Sequence, residues 1–218
     1  MKYTTYIFDF DYTLCDATVG IVACVNFALG ELGFEAKDCE DIRKTIGMTL
    51  ENMFSSLTDV SDTETAGKFF SHFMSMADEE MTDNTVMIPG AISVLSQLKE
   101  KGFNTAIVTT KVRYRVEEIL RKYNIVDLID IVIGYEDVAE PKPSPEGLLK
   151  AIDYFKCGKK SVLFIGDSLI DANTANNAEV DFAAVLTGTT TKQDFLALPS
   201  ICILNTLTEI LEFCKGID

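Results

Sequence analysis

The sequence predicts an α/β protein with a parallel sheet core and an inserted α-helical cap subdomain. Three observations support this prediction: the chain length, the alternation of strand and helix patterns after residue 90, and a long helical block before it. With 218 residues, the chain is longer than a typical domain of ~150 residues and too short for two full domains. One domain with a large insertion fits this length.

Short runs of β-branched and aromatic residues are the strand candidates. They occupy residues 4–10, 104–110, 130–134, 161–166, 181–186 and 200–204. Helical patterns with i, i+3, i+4 apolar spacing fill the gaps from residue 90 onward, at 90–102, 113–124, 144–156 and 206–216. Strands that alternate with helices indicate a Rossmann-like parallel sheet.

The block between the first two strand candidates contains helical patterns and no convincing strand. It is too long for a simple crossover. We therefore predict a helical cap at residues 17–87, inserted into an α/β core formed by residues 1–16 and 88–218. Within the cap, a stripe of Phe and Met residues is expected to pack internally, and the lone His72 is expected to be structural or on the surface.

Charge and cysteine content narrow the range of partners. The chain has 34 acidic and 19 basic residues and a net charge of −15, which repels nucleic acid and anionic lipid surfaces. No stretch approaches the ~18 apolar residues of a membrane span. The six cysteines form no C-x-x-C pair, which is typical of reduced thiols. We expect a cytoplasmic protein that acts on a small molecule, with no nucleic-acid or membrane partner.

Polar side chains follow the first four strand candidates. In chain order they are Asp9 and Asp11, then Thr109, Thr110 and Lys111, then Glu136, Asp137 and Lys142, then Asp167, Ser168 and Asp171. Ligands of parallel sheets bind at the carboxyl ends of the strands, so these side chains are expected to meet at one edge.

These residue types favour phosphoryl transfer with a metal. Clustered carboxylates stay ionised together when a divalent cation lies among them, and oxygen ligands favour Mg²⁺. Lysine and hydroxyl groups can bind phosphate. Asp9 and Asp11 lie two residues apart, so one carboxylate can attack phosphorus while the other protonates the leaving oxygen. The expected product of the first step is an aspartyl phosphate.

Four motifs resemble, in order, those of haloacid dehalogenase superfamily phosphatases. They are D-F-D-Y-T-L at 9–14, Thr109 after an apolar strand, Lys142 within P-K-P-S-P, and G-D-S-L-I-D at 166–171. The segments I-V-T-T-K and K-P-S-P-E-G-L-L-K-A-I, together with the helical insertion, resemble the phosphoglycolate phosphatase branch. This resemblance implies hydrolysis of a small phosphomonoester such as phosphoglycolate.

The resemblance also implies roles for the matching residues. Asp9 would be the nucleophile and Asp11 the acid/base, while Thr109, with Thr110 beside it, and Lys142 would bind the transferring phosphoryl group. The metal would be held by carboxylates of Asp9, Asp11 and Asp167, and Asp171 would support its water shell. The presence of Asp11 argues against the dehalogenases, which lack the second aspartate.

Two residues depart from the family pattern. Tyr12 and Glu179 stand where the family usually has glycine. Neither change removes a reacting group, so we expect an effect on substrate choice more than on reaction type.

Several alternatives stay open at this point. A phosphosugar mutase, a nucleotidase or a pyrophosphatase of the same superfamily would share the core motifs, and a receiver-like phospho-acceptor domain uses similar groups in a different chain order. Arg43 and Lys44 in the cap, and Lys111 in the core, are possible specificity residues. Each could equally be an exposed charge.

Overall fold

The computed structural model describes residues 2–215, with side chains for residues 2–213. The strands are β1 (Thr5–Phe8), β2 (Cys15–Asp16), β3 (Val86–Met87), β4 (Asn104–Val108), β5 (Ile131–Ile133), β6 (Val162–Gly166), β7 (Asp181–Val185) and β8 (Cys202–Leu204). The helices are α1 (Thr18–Glu31), α2 (Cys39–Arg43), α3 (Leu50–Thr58), α4 (Thr63–Glu80), α5 (Ala91–Glu100), α6 (Arg113–Lys122), α7 (Glu146–Phe155), α8 (Leu169–Ala178), α9 (Lys192–Phe195) and α10 (Ile210–Lys215).

The chain divides into two compact units. An α/β unit comprises the described residues up to Cys15 and from Met87 onward, and a helical unit comprises Asp16–Val86. The two-residue strands β2 and β3 pair where the chain passes from one unit to the other. The sequence did not predict them, because two residues are too short to show a strand pattern.

The α/β unit contains a six-stranded sheet in the order β5-β4-β1-β6-β7-β8. Every neighbouring pair is parallel, and β1 lies between β4 and β6, with Phe8 opposite both Ile107 and Ile165. The predicted α/β fold with a parallel sheet is confirmed, and each predicted strand range contains one of these strands.

Both faces of this sheet are covered, as expected for parallel strands. Tyr6 and Phe8 of β1 belong to a core that includes apolar residues of α5, α6 and α10. Ile7 points to the other face, into a core with residues of α7, α8 and α9. Because β1 is buried on both faces, its sequence is a continuous apolar and aromatic run instead of an alternating one.

Strand order reverses at β1, which places the ligand-binding edge. From β1 the chain continues to β4 and β5 on one side of the sheet, and then to β6, β7 and β8 on the other. Open parallel sheets bind ligands at such a switch point, beyond the carboxyl ends of the strands. The segments that follow β1, β4, β5 and β6 therefore lie at this ligand-binding edge.

The helical unit packs around aromatic side chains. Phe54 lies 5.5 Å from Phe34 and 5.1 Å from Phe69 between ring centroids. Of the predicted stripe of Phe69, Phe70, Phe73 and Met74, Phe69 and Phe73 are buried and the other two are half-buried. His72 on the same helix is half-buried as well. Three of its helices begin at a side-chain cap, in which Asp38, Thr49 or Asp62 accepts a hydrogen bond from a backbone N–H of the first turn.

No helix within residues 2–215 has the length and apolar character needed to cross a membrane. The five cysteines whose side chains are described are thiols, and Cys214 lies outside the described side chains.

Candidate active site

Asp9 and Lys142 form the centre of the site. Asp9 follows β1 directly, its backbone N–H donates to the carbonyl of Ile165 at 2.9 Å, and its side chain is buried. Lys142 comes from the loop after β5, and its Nζ lies 2.6 Å from Asp9 Oδ1 and 2.6 Å from Asp171 Oδ1. The side chains of these three residues are at most 4% exposed. One ammonium thus joins two carboxylates that come from separate strand ends.

A third carboxylate completes an acidic cluster. Oxygens of Asp9, Asp167 and Asp171 all lie within 4.8 Å of one another, and all three side chains are buried. Asp167 follows β6 directly, and Asp171 lies in the first turn of α8. The structure thus brings together Asp9, Lys142, Asp167 and Asp171, four of the residues expected after β1, β5 and β6.

The orientation of Asp171 is set by helix capping. Ser168 is the N-cap of α8. Its Oγ accepts a hydrogen bond from the Asp171 N–H at 3.1 Å, and its own N–H donates to Asp171 Oδ2 at 3.2 Å. This reciprocal arrangement is a capping box. The G-D-S-L-I-D motif therefore starts the helix and also directs Asp171 toward Lys142.

Two further residues fix Asp167. Thr13 Oγ1 donates to Asp167 Oδ1 at 3.1 Å in a buried hydrogen bond. Gly188, in the loop after β7, passes so close that a Cβ there would lie 1.9 Å from Asp167 Oδ2. Neither was singled out from the sequence. Thr13 lies inside the D-F-D-Y-T-L motif, but no sequence pattern marks Gly188.

Burial and repulsion between carboxylates raise the pKa values of Asp9 and Asp167. Burial raises the pKa of Asp9 to about 7; the charge of Lys142 opposes this shift and that of Asp171 adds to it. Burial, and then the charges of Asp171 and Asp9, hold the pKa of Asp167 well above its usual range. Burial alone would lower the pKa of Lys142, but the two neighbouring carboxylates outweigh it and raise that pKa.

The donor set fits a divalent cation. Three carboxylates face one ammonium, so the fully ionised cluster carries excess negative charge that a cation would balance. All of its candidate ligand atoms are carboxylate oxygens, which suit Mg²⁺ better than zinc or copper.

The carboxylate of Asp11 has a different partner. Its Oδ2 lies 2.8 Å and its Oδ1 3.1 Å from Lys111 Nζ, and Cys15 Sγ lies 3.7 Å from Oδ1. The sequence prediction grouped Asp11 with the metal-binding carboxylates and gave Asp171 a supporting part. In the structure, Asp171 lies in the acidic cluster, and the Asp11 carboxylate is paired with Lys111.

Thr109 lies at the end of β4, where its buried side chain borders a small cavity that Lys142 also lines. Its Oγ1 accepts a hydrogen bond from the N–H of Lys111 at 3.2 Å. Thr110 is half-buried between them. Glu136 and Asp137, also at this edge, bind backbone N–H groups of Arg113 and Gly134, so they support the loops.

Tyr12 and Glu179, the two departures from the family pattern, both have left-handed backbones. Their φ values are 60° and 59°, a region that glycine occupies with least strain. Tyr12 is buried, its N–H donates to the carbonyl of Cys15 at 2.7 Å, and its own carbonyl accepts from Thr187 Oγ1. These contacts hold the loop in a conformation that its residue type disfavours.

The two cap cations pair within their own helical segment. Arg43 and Lys44 lie 2.9 Å and 3.2 Å from Glu40 and Asp41, three residues earlier in each case. Their part in specificity stays a prediction.

The sequence profile of haloacid dehalogenase-like hydrolases matches residues 6–185, which include every residue of the site except Thr187 and Gly188. The chain belongs to this family. Family membership rules out the receiver-like domain.

Individual relatives agree with this assignment. A phosphoglycolate phosphatase of Cereibacter sphaeroides is 30% identical over 186 residues, which cover 84% of each chain. A pyrophosphatase of Bacillus cereus, PpaX, is 29% identical over 185 residues, 85% of this chain and 84% of that protein. A solved structure from Bacteroides fragilis, classed as a haloacid dehalogenase-like hydrolase, has a TM-score of 0.94 at 44% identity and covers 96% of this chain and 100% of that one. These similarities support phosphatase activity.

Proposed function

We propose that the protein is a Mg²⁺-dependent phosphatase that hydrolyses a small phosphomonoester, phosphoglycolate or a close analogue, through an aspartyl phosphate. The observation that carries this proposal is the buried cluster of Asp9, Asp167, Asp171 and Lys142 at the carboxyl edge of the sheet. Its position, residue types and excess negative charge match what phosphoryl transfer needs.

The chemistry divides between the two aspartates of the first motif. A carboxylate oxygen of Asp9 forms a bond to phosphorus as the bond from phosphorus to the leaving oxygen breaks, and Asp11 gives its proton to that oxygen. Water then attacks phosphorus, Asp11 takes a proton from the water, and the bond between Asp9 and phosphorus breaks. Phosphate leaves, and both aspartates return to their starting states.

Lys142 and Thr109 are proposed to bind the phosphoryl oxygens, with Thr110 beside them. Asp9 and Asp167 are proposed to hold Mg²⁺, which supplies positive charge against the phosphate and keeps the acids ionised. We assign Asp171 a supporting part because its oxygens already accept hydrogen bonds from Lys142 and Ser168.

A pyrophosphatase is the second candidate, favoured by the similarity to PpaX. A panel containing phosphoglycolate, glucose 6-phosphate, AMP and pyrophosphate separates the possibilities. We expect the highest kcat/KM for phosphoglycolate, activity abolished by a chelator and restored by Mg²⁺, and little turnover with Ca²⁺, whose looser coordination suits in-line attack poorly. Full activity in excess chelator, or no turnover of any phosphomonoester, would reject the proposal.

A further inference from the structure

Lys111 lies where its ammonium can control the proposed acid/base. Its Nζ contacts both oxygens of Asp11, at 2.8 Å and 3.1 Å, and the two side chains are only 9% and 11% exposed. A charge-assisted contact to both oxygens restricts rotation of a carboxylate more than contact with a single oxygen does.

The backbone of Lys111 is itself tied down on both sides. Its N–H donates to Thr109 Oγ1 at 3.2 Å, and its carbonyl accepts from the N–H of Tyr135 at 3.1 Å. These bonds connect the residue to the end of β4 and to the segment after β5. The backbone of Lys111 is therefore held in place by hydrogen bonds while its side chain contacts Asp11, which is 100 positions away in the chain.

Cys15 provides a second contact on the same carboxylate, with Sγ 3.7 Å from Asp11 Oδ1. A thiol can donate a weak hydrogen bond to a carboxylate oxygen. The Lys111 ammonium and the Cys15 thiol are thus both donors to Asp11.

We propose that Lys111 is a positioning residue, which fixes the Asp11 carboxylate in the orientation from which it protonates the leaving oxygen. This inference rests on the proposed function, since it requires Asp11 to be the acid. It differs from the expectation of a substrate contact, because the ammonium is already bound to Asp11. Proton transfer depends steeply on the position of the donor, so loss of this pair is expected to misplace Asp11.

The test is the leaving-group dependence of kcat/KM in Lys111→Met, a variant of similar length without the charge. p-Nitrophenyl phosphate has a leaving group that needs little protonation, and glycerol 3-phosphate has one that needs a proton. We expect kcat/KM to fall about ten- to a hundredfold for glycerol 3-phosphate and less than about threefold for p-nitrophenyl phosphate. Neither substrate carries a charge outside its phosphate group, so an effect on phosphate binding cancels in the ratio.

Lys99→Met is the matched control. Lys99 lies in α5 of the same unit, where it forms an ion pair with Asp130 at 2.6 Å. The ratio between the two substrates is expected to stay at the wild-type value in this variant.

A double-mutant cycle decides whether Lys111 acts through Asp11. If it does, adding Lys111→Met to Asp11→Asn lowers kcat/KM for glycerol 3-phosphate no further than Asp11→Asn alone. Additive losses, or an equal loss for both substrates in Lys111→Met, overturn the inference. Phosphoglycolate is measured alongside these two substrates. If Lys111→Met lowers kcat/KM for phosphoglycolate alone, Lys111 contacts the substrate carboxylate and the inference is overturned.

The same experiment separates this inference from the proposed function. If Asp11→Asn slows both substrates equally, Asp11 is not the acid, and the proposed mechanism fails together with the inference. If Asp11→Asn shows the leaving-group dependence and Lys111→Met does not, only the inference fails.

Discussion

The two lysines at the carboxyl edge of the sheet, Lys142 and Lys111, differ in the number of carboxylates around them. Lys142 contacts Asp9 and Asp171 at 2.6 Å each, and Asp167 lies in the same cluster. Lys111 is paired with Asp11, at 2.8 Å. Three acids share one ammonium at the first position, whereas one acid meets one ammonium at the second.

This difference separates two tasks along one edge. The excess negative charge around Lys142 would stabilise a divalent cation. Burial is the main cause of the raised pKa of Asp9, and the charge of Asp171 adds to it. The balanced pair at Lys111 has no such excess. In the proposed mechanism, metal binding and nucleophilic attack belong to the cluster, and proton transfer belongs to the pair.

Removal of the proposed nucleophile, Asp9, should have the largest effect on activity. Asp9→Asn keeps the shape of the side chain but loses the attacking oxygen charge, so we expect kcat to fall about 10⁴-fold, with a smaller change in substrate affinity. Acid quenching of a reaction with radiolabelled substrate should trap phosphoenzyme in the wild type and none in the variant. Asp11→Asn is the matched control, since it should still form phosphoenzyme from p-nitrophenyl phosphate. Trapped phosphoenzyme in Asp9→Asn would contradict the assignment.

A change beside the cluster should act on metal alone. In Gly188→Ala the new Cβ would collide with Asp167 Oδ2, so Asp167 must move. We expect Mg²⁺ affinity to drop about ten- to a hundredfold, as for other residues that support metal ligands. Titration calorimetry measures this directly. Gly158→Ala, where nothing lies within 4 Å of the added Cβ, is the control and should bind Mg²⁺ as the wild type does. Equal affinities in all three proteins would show that Asp167 does not hold the metal.

The raised pKa of Asp9 predicts how Mg²⁺ binding depends on pH. With a pKa of about 7 in the metal-free protein, Asp9 is mainly neutral below that pH, and Mg²⁺ binds the ionised form. The dissociation constant for Mg²⁺ is therefore expected to rise by about tenfold or more per unit as pH falls below 7, because the raised pKa of Asp167 acts in the same direction. Calorimetry between pH 5.5 and 8.5, at roughly these limits, covers the transition. A dissociation constant that is flat across this range would exclude the raised pKa.

The smallest effect is expected for the cap cations, Arg43 and Lys44. Their ion pairs are exposed, whereas those of Lys111 and Lys142 are largely buried. The Arg43 and Lys44 side chains are 35% and 65% exposed, and exposed pairs of this kind contribute ~0–1 kcal/mol. Each cation can thus exchange its partner for a substrate carboxylate at little cost. Arg43→Ala or Lys44→Ala is expected to lower kcat/KM for phosphoglycolate by up to about tenfold and to leave p-nitrophenyl phosphate unchanged. Parallel losses on both substrates would end this hypothesis.

Much of the fold and part of the site could be predicted because the signals are local. Each strand of the sheet is a short, mostly apolar run. Asp9 and Asp167 directly follow such runs, and Lys142 lies in the loop after one. Parallel strands then bring those ends together. The pairing of Lys111 with Asp11 could not be predicted, because it depends on the direction of a flexible side chain.

Other features had partial signals or none. Tyr12 and Glu179 were marked by the missing glycines, yet only the structure shows that the backbone keeps its left-handed conformation at both positions. Gly188 contacts the site through a loop 21 residues beyond Asp167, and a single glycine in a loop is too common to indicate a close approach.

The central place of β1 in the sheet has a consequence for how the chain is made. Thr5 pairs with Asn104 on one side and with Val162 on the other. At ~5–20 residues per second, translation reaches the second partner roughly 8–30 s after the first strand has been synthesised. The helical unit, whose contacts are more local, can form during that interval. The side of β1 that pairs with β6 stays without its partner strand until β6 has been synthesised. A growing chain that has not yet reached Asp171 therefore cannot assemble the acidic cluster.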